Sequence, residues 1–303
     1  MNIIFHIGYP KTASRWFQES LFINIKNARI VDKSIIFKSI IKPEGLTFTP
    51  ETIFDPCDDN LLDHLIFSSH ELIGTNYHFG FHGYYMKENA QRIHKIFPDA
   101  KIILFIRNQP DIIASAYMQY IEEGGTYSVS KYLDHKRFKH INRFPLFSFS
   151  FYEYHHIIEY YQNLFGKSNV YTFLFEDFQK QPEEFVLDFC QTFKFKIESN
   201  QIAYAKVNTS YRIITLILAR FFNHFTEMKM LNKHYLFHIP YLYNFTKSTF
   251  QYLNRFRIFG KISSSRNLLG KRIISFVSDY YKHSNQILRD KHKLPVDQYG
   301  YPL

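Results

Sequence analysis

Cysteine is almost absent: the 303 residues hold two, Cys57 and Cys190. Two thiols cannot build a disulfide framework, so the chain is expected in a reducing, intracellular setting. Long apolar runs are missing too, none approaching the roughly 20 residues that span a bilayer. The first residues, MNIIFHIGYPK, lack a charged leader region and reach Pro10-Lys11 early, which predicts a first strand and not a signal peptide. Several catalytic patterns are absent as well. No second glycine precedes Lys11 as G-x-x-x-x-G-K-[ST] requires, and neither G-x-G-x-x-G nor G-x-S-x-G occurs. HELIG starts like H-E-x-x-H, but Gly74 stands where the second histidine would be. His78 and His82 are four apart in a glycine-interrupted stretch with no cysteine nearby, so no metal site is expected. Acids are scarce in one region. Between Lys206 and Arg272 six Lys and six Arg meet one acid, Glu227, giving +11 in a chain whose net charge is +10.

What is present is a globular balance, 46% hydrophobic and 21% charged, without repeats or low-complexity segments. Apolar runs at Ile3–Ile7, His64–Ser69, Lys101–Ile106 and Asn169–Phe175 read as strands. Helical patterns follow them at about Arg15–Ile25, Tyr84–Phe97, from Pro110-Asp111, Phe151–Gly166 and from Pro182. Strands alternating with helices predict an α/β fold, a parallel sheet flanked by helices. Beyond about Thr209 strands disappear, and the sequence becomes helical, basic and aromatic. The expectation is one domain over residues 1–303, with 206–272 as a basic subregion.

The loop after the first strand, Gly8-Tyr9-Pro10-Lys11-Thr12-Ala13-Ser14-Arg15-Trp16, carries the most chemistry. A strand-to-helix loop offers free backbone N–H groups at the positive end of a helix. The small and hydroxylated residues Thr12, Ala13 and Ser14 admit a close anion, and Lys11 adds a full charge. These features make a phosphate cradle. HIGYPKTASRWFQ resembles the 5′-phosphosulfate loop of sulfotransferases that use 3′-phosphoadenosine 5′-phosphosulfate (PAPS), written P-K-[ST]-G-[ST]-[ST]. Here Ala13 replaces the usual Gly and Arg15 a usual hydroxyl. Further on, KIILFIRNQPDIIASAY supplies Arg107 at a strand end and Ser115 eight residues later, similar to the family's clamp for the 3′-phosphate. Arg107 sits where ligands bind in open parallel sheets, and its guanidinium suits phosphate oxygens. SAYMQYIEEGGTYSVSKYL, FLFEDFQKQPEEFVLDFCQTF and the terminal SNQIL with YGYP extend the resemblance to prokaryotic members, many of which sulfate carbohydrates.

The resemblance implies a P-loop-kinase-like sheet, PAPS as donor, 3′-phosphoadenosine 5′-phosphate (PAP) as product, and no metal. It implies a glycan or glycolipid acceptor, on a bacterial surface glycan or its lipid-linked precursor. Thr12 to Arg15 would cradle the phosphosulfate while Lys11 neutralises the leaving phosphate. FSSHELIG resembles the family's S-x-E segment, which makes Glu71 the first candidate base and His70 the second; on an extended segment the two would face opposite sides. The basic region 206–272 is read as acceptor- or membrane-facing, with a solvated face and nucleic-acid binding as alternatives. The expected location is cytoplasmic, peripheral on the inner face of the membrane. Competing functions are an ATP-using P-loop phosphotransferase (a kinase) and a non-catalytic polyanion- or membrane-binding relative.

Overall fold

The structure is a computed structural model that describes residues 1–50, 62–74, 82–133, 146–198, 202–204, 211–227, 233–261 and 264–303. Cys57, His78 with the rest of 75–81, and parts of the basic segment (206–210, 228–232, 262–263) lie outside the described residues. In chain order the main elements begin with β1 (Asn2–Gly8), α1 (Ser14–Trp16), β2 (Ala28–Ile30), α2 (Lys33–Ile36) and β3 (His64–Ser68). Next come α3 (Met86–Ile96), β4 (Lys101–Ile106), α4 (Gln109–Glu122), α5 (Val129–Leu133), α6 (Tyr154–Phe165) and β5 (Val170–Leu174). The chain finishes with α7 (Phe175–Lys180), α8 (Pro182–Phe193), α9 (Ile213–Phe222), α10 (Leu242–Leu253) and α11 (Ser265–Asp290).

These elements form two compact units, the first built from Met1–Thr75, Gly83–Arg107 and Tyr154–Val207. It contains a five-stranded sheet, parallel throughout, in the order β2-β3-β1-β4-β5. β1 and β4 are buried on both faces, which explains their near-continuous apolar sequence. On one face Ile4, Ile66, Ile103 and Phe105 pack against Trp16, Phe17 and Phe22 after β1 and against Val186, Phe189 and Phe193 of α8. On the other, Phe5 stacks on Phe67 at 4.5 Å and both meet Phe97, just past α3. The sheet and its helices match the α/β expectation. Short elements escaped it: the three-residue edge strand β2 and the helices α2, α5 and α7. The run expected as a helix over Arg15–Ile25 is α1 followed by a π turn, Phe17–Leu21, and a 3-10 turn, Phe22–Asn24.

The second unit comprises Asn76–His82, Asn108–Glu153 and Asn208–Leu303. Its described part contains no strand. Asn108 caps α4 by accepting from the Asp111 N–H, and Pro110 occupies its first turn, as the sequence predicts. Buried amides hold α4 to α11: Gln109 and Asn285 exchange hydrogen bonds of 2.8 and 3.0 Å. Asn223 after α9 donates to the carbonyls of Ile121 and Gly125, both at 2.8 Å. Gly270, at φ 78°, breaks the helix near the start of α11.

Candidate functional site

In the sheet order, the chain leaves β1 toward β2 on one side, while β5 lies on the other side of β4. The carboxyl ends of β1 and β4 therefore flank a topological switch point, where open α/β sheets bind ligands. Gly8 pairs with Phe105, so Lys11 and Arg107 each lie just past neighbouring strand tips. The Arg107 guanidinium donates to the Lys11 carbonyl at 3.0 Å and lies 4.7 Å over the Phe175 ring. Tyr154 holds the Arg107 backbone by donating its hydroxyl to the Arg107 carbonyl at 2.6 Å, and packs edge-on against buried Tyr9. Among the described residues neither Lys11 nor Arg107 pairs with a carboxylate. Two uncompensated cationic side chains on one sheet edge suit an anion with more than one phosphate-like group.

The loop between them is unusual in its backbone. Lys11 and Ala13 have φ of 68° and 62°, the left-handed region that side chains disfavour. Ala13 stands where the resembled loop carries Gly, and it adopts a conformation for which Gly is suited. A left-handed residue followed by a helical one turns successive N–H groups toward a common point, an anion-binding nest. Gly8 is needed for space: a Cβ there would lie 2.3 Å from the Ser14 hydroxyl. That hydroxyl is buried and unpartnered, a polar group that a bound oxyanion would satisfy. Thr12 is turned inward, its buried hydroxyl donating to the Tyr9 carbonyl at 2.5 Å, so what it can offer an anion is its backbone N–H. Arg15 pairs with Glu19 at 2.8 Å on the surface. Trp16 anchors the helix that follows, its indole donating to the Ala203 carbonyl at 2.8 Å.

Behind the loop lies a polar contact that sequence reasoning missed. His6 faces Ser68 in the β1–β3 register, Nδ1 to Oγ 2.8 Å, and Gln18 donates to the same hydroxyl at 3.0 Å. Burial among Phe17, Phe22 and Phe105 pushes the His6 pKa down to about 3, so the ring is neutral. Its other nitrogen is unpartnered and lies 3.5 Å from the position a Gly8 Cβ would take. The available signal was His6 itself, the one polar residue in the apolar run Ile3–Ile7.

β3 ends at Ser68, and His70 and Glu71 lie in a 3-10 turn, His70–Ile73, capped by the Ser69 hydroxyl accepting from the Glu71 N–H at 3.2 Å. The extended segment expected there is replaced by this turn, so the opposite-faces argument for choosing between the two lapses. Both are exposed, beyond the strand tip beside β1. Gly74 closes the turn at φ 75°, where a Cβ would strike the backbone of Tyr85 and Met86. In the second unit Ser115 is buried within α4. His82 there pairs through Nε2 with the Leu146 carbonyl at 2.7 Å, and burial pushes its pKa down to about 4. No cluster of three metal-ligating side chains occurs among the described residues. Cys190 sits in the core with its thiol pKa pushed up to about 12, which makes it a poor nucleophile. A cleft lined by Ile3, Phe97, Pro98 and Lys101 opens at the other end of β1 and β4 and gathers none of these residues.

No curated protein matches the chain. Among solved structures it is similar to a sulfotransferase from Alicyclobacillus acidocaldarius, with 22% identity and a TM-score of 0.49, covering 69% of this chain and 87% of that one. It is also similar to mouse sulfotransferase SULT7A1 complexed with PAP, with 12% identity and a TM-score of 0.45, covering 95% of this chain and 84% of that one. Residues 82–198, which include β4, Arg107 and Ser115, match the model of the Sulfotransferase family.

Proposed function

We propose that the protein transfers a sulfuryl group from PAPS to a hydroxyl of a glycan, on a bacterial surface polysaccharide or its lipid-linked precursor. The observation that carries the reading is the hydrogen bond from Arg107 to the Lys11 carbonyl at 3.0 Å, which joins two cationic strand tips into one edge. A donor with phosphate groups at both its 5′ and 3′ positions matches that pair of charges. Arg107 and Ser115 serve the 3′-phosphate; the nest at Ala13 and Ser14, with the backbone of Thr12 and Arg15, serves the phosphosulfate.

In the reaction the acceptor oxygen forms a bond to sulfur as the bond from sulfur to the bridging phosphate oxygen breaks, releasing PAP and a sulfate ester. Negative charge grows on that bridging oxygen, and Lys11 neutralises it. The acceptor proton passes to the Glu71 carboxylate, with His70 on the same turn as the alternative base. No metal is required, because the transferred group carries less charge than a terminal phosphoryl.

The test combines ligand-dependent melting with label transfer. PAP should raise the melting temperature, since a ligand bound to the folded state alone stabilises it. Incubation with sulfur-labelled PAPS and host glycan extracts should yield a labelled glycan. Stabilisation by ATP with Mg²⁺ and none by PAP would replace this reading with phosphoryl transfer.

A further inference from the structure

Of the 21 large apolar side chains exposed among the described residues, 12 lie between Ile214 and Ile258 in the second unit, so the exposure is concentrated in one short stretch. They are arranged by helical period. On α9, Ile214, Ile217 and Phe221 recur at spacings of three and four, a single outward stripe, while Thr215, Leu216 and Ala219 face inward. On α10, Phe245 and Tyr252 face outward while Thr246 and Phe250 face inward, and Tyr241 and Phe256 are exposed just before and just after the helix. A soluble helix pair ordinarily presents its polar face outward. α9 instead buries one apolar face and exposes another, while α10 sets Phe245 and Tyr252 among exposed Asn244, Ser248 and Gln251.

The stripes belong to one connected surface. Phe221 touches Phe225, which touches Phe237, each pair with ring centroids 5.3 Å apart. The backbone of Leu236 and Ile239 bonds to His224 and Phe225 at 2.7 and 3.0 Å, so the linker before α10 is held along the end of α9. At the other end of α9, Arg212 donates to the Gly260 carbonyl at 2.6 Å and the Ile213 N–H to Lys261. This brings the 254–261 turn, with Ile258 on it, beside Ile214. The protruding members are nearly naked: Tyr241 is 86% exposed, Ile258 81%, Leu236 72% and Phe245 69%.

Charge distinguishes among occupants. Arg255, Arg257 and Lys261 are exposed on the same turn, followed by exposed Arg266 and Lys271, and Glu227 is the one acid between residues 206 and 272. A second copy of the chain would set this positive surface against another. A nucleic acid would use the aromatic rings and the charges but would leave aliphatic Ile214, Ile217, Leu236 and Ile258 without a role. A lipid surface uses both: side chains enter the acyl boundary while arginine and lysine meet anionic headgroups.

We infer that the surface formed by α9, the 233–241 linker, α10 and the 254–261 turn docks the protein onto an anionic lipid bilayer. The docking is peripheral, since no described helix is long and apolar enough to cross a membrane. It does not depend on the sulfuryl-transfer reading, and its test uses no donor.

The test is sedimentation of the full-length protein with vesicles of phosphatidylcholine, alone or with phosphatidylglycerol at about one lipid in three. Binding should be at least ~10-fold stronger to the anionic vesicles and fall several-fold as salt rises from about 0.1 to 0.5 M. Arg255→Glu with Arg257→Glu should cost ~10-fold or more on anionic vesicles. Leu236→Ser with Phe245→Ser should cost a similar factor and lower the residual binding at high salt, at unchanged melting temperature. Equal, negligible binding to both vesicle types would overturn the inference. So would displacement from vesicles by single-stranded DNA at equimolar phosphate. A stable dimer by light scattering, abolished by Leu236→Ser with Phe245→Ser and accompanied by no vesicle binding, would assign the surface to self-association instead.

Discussion

Two regions of the molecule are rich in phenylalanine and tyrosine and use them in opposite ways. Around the sheet, Phe17, Phe22, Phe105, Phe189 and Phe193 are buried ring against ring. On α9, on α10 and just past it, Phe221, Phe245 and Phe256 stand in solvent, the last between exposed Arg255 and Arg257. Composition does not distinguish the two, because the residue types are the same. Helical phase does: a side chain's position relative to the inward face decides whether it supports the fold or is left for a partner.

That contrast can be broken or sharpened by experiment. Phe17→Ala should cost about 3–5 kcal/mol of stability, whereas Phe245→Ala should stay within about 0.5 kcal/mol. Urea unfolding of both variants measures this, and equal losses would erase the distinction. Lys11→Ala should lower kcat by about 10³-fold at an unchanged melting temperature, as expected for a group acting on developing charge. Arg107→Ala should act mainly on the donor, raising its KM by roughly 10- to 100-fold; unaltered donor affinity in a binding titration would contradict the proposed site.

Acid should act on both units through buried histidines. His6 and His82 have folded pKa values of about 3 and about 4, below the ordinary 6.5. The unfolded chain therefore takes up protons first, and stability falls as pH drops below 6.5, by up to about 1.4 kcal/mol per pH unit for each group. His82→Gln should remove one share of that slope between pH 6.5 and 4, a change readable from urea midpoints at several pH values. The smallest effect concerns the loop backbone. Ala13→Gly should relieve the left-handed strain at φ 62° and stabilise the protein by about 1 kcal/mol, seen as a higher melting temperature.

Much of this architecture was legible in the amino-acid order. β1, β3, β4 and β5 are apolar runs whose burial requires that pattern, and the helices between them carry their own stops. β2 was not legible, because three half-buried residues, Ala28–Ile30, become a strand through pairing with β3. Lys11 and Arg107 could be read as a pair because each follows a strand that announces itself. The contact among His6, Ser68 and Gln18 could not, since it depends on the register between β1 and β3. The turn that holds Glu71 could not be read either, because a 3-10 turn capped by a serine leaves little trace in a string of residues.

The indole of Trp16 reaches a carbonyl 187 positions later, at Ala203. During synthesis the first loop thus emerges long before the partner that pins the helix behind it, and β1 likewise waits for β4. A nascent chain released near residue 190 would hold the loop's residues without the means to keep them in place. Competence of the edge that joins Lys11 and Arg107 is consequently a late event on the ribosome, although Lys11 itself is made well before Ala203.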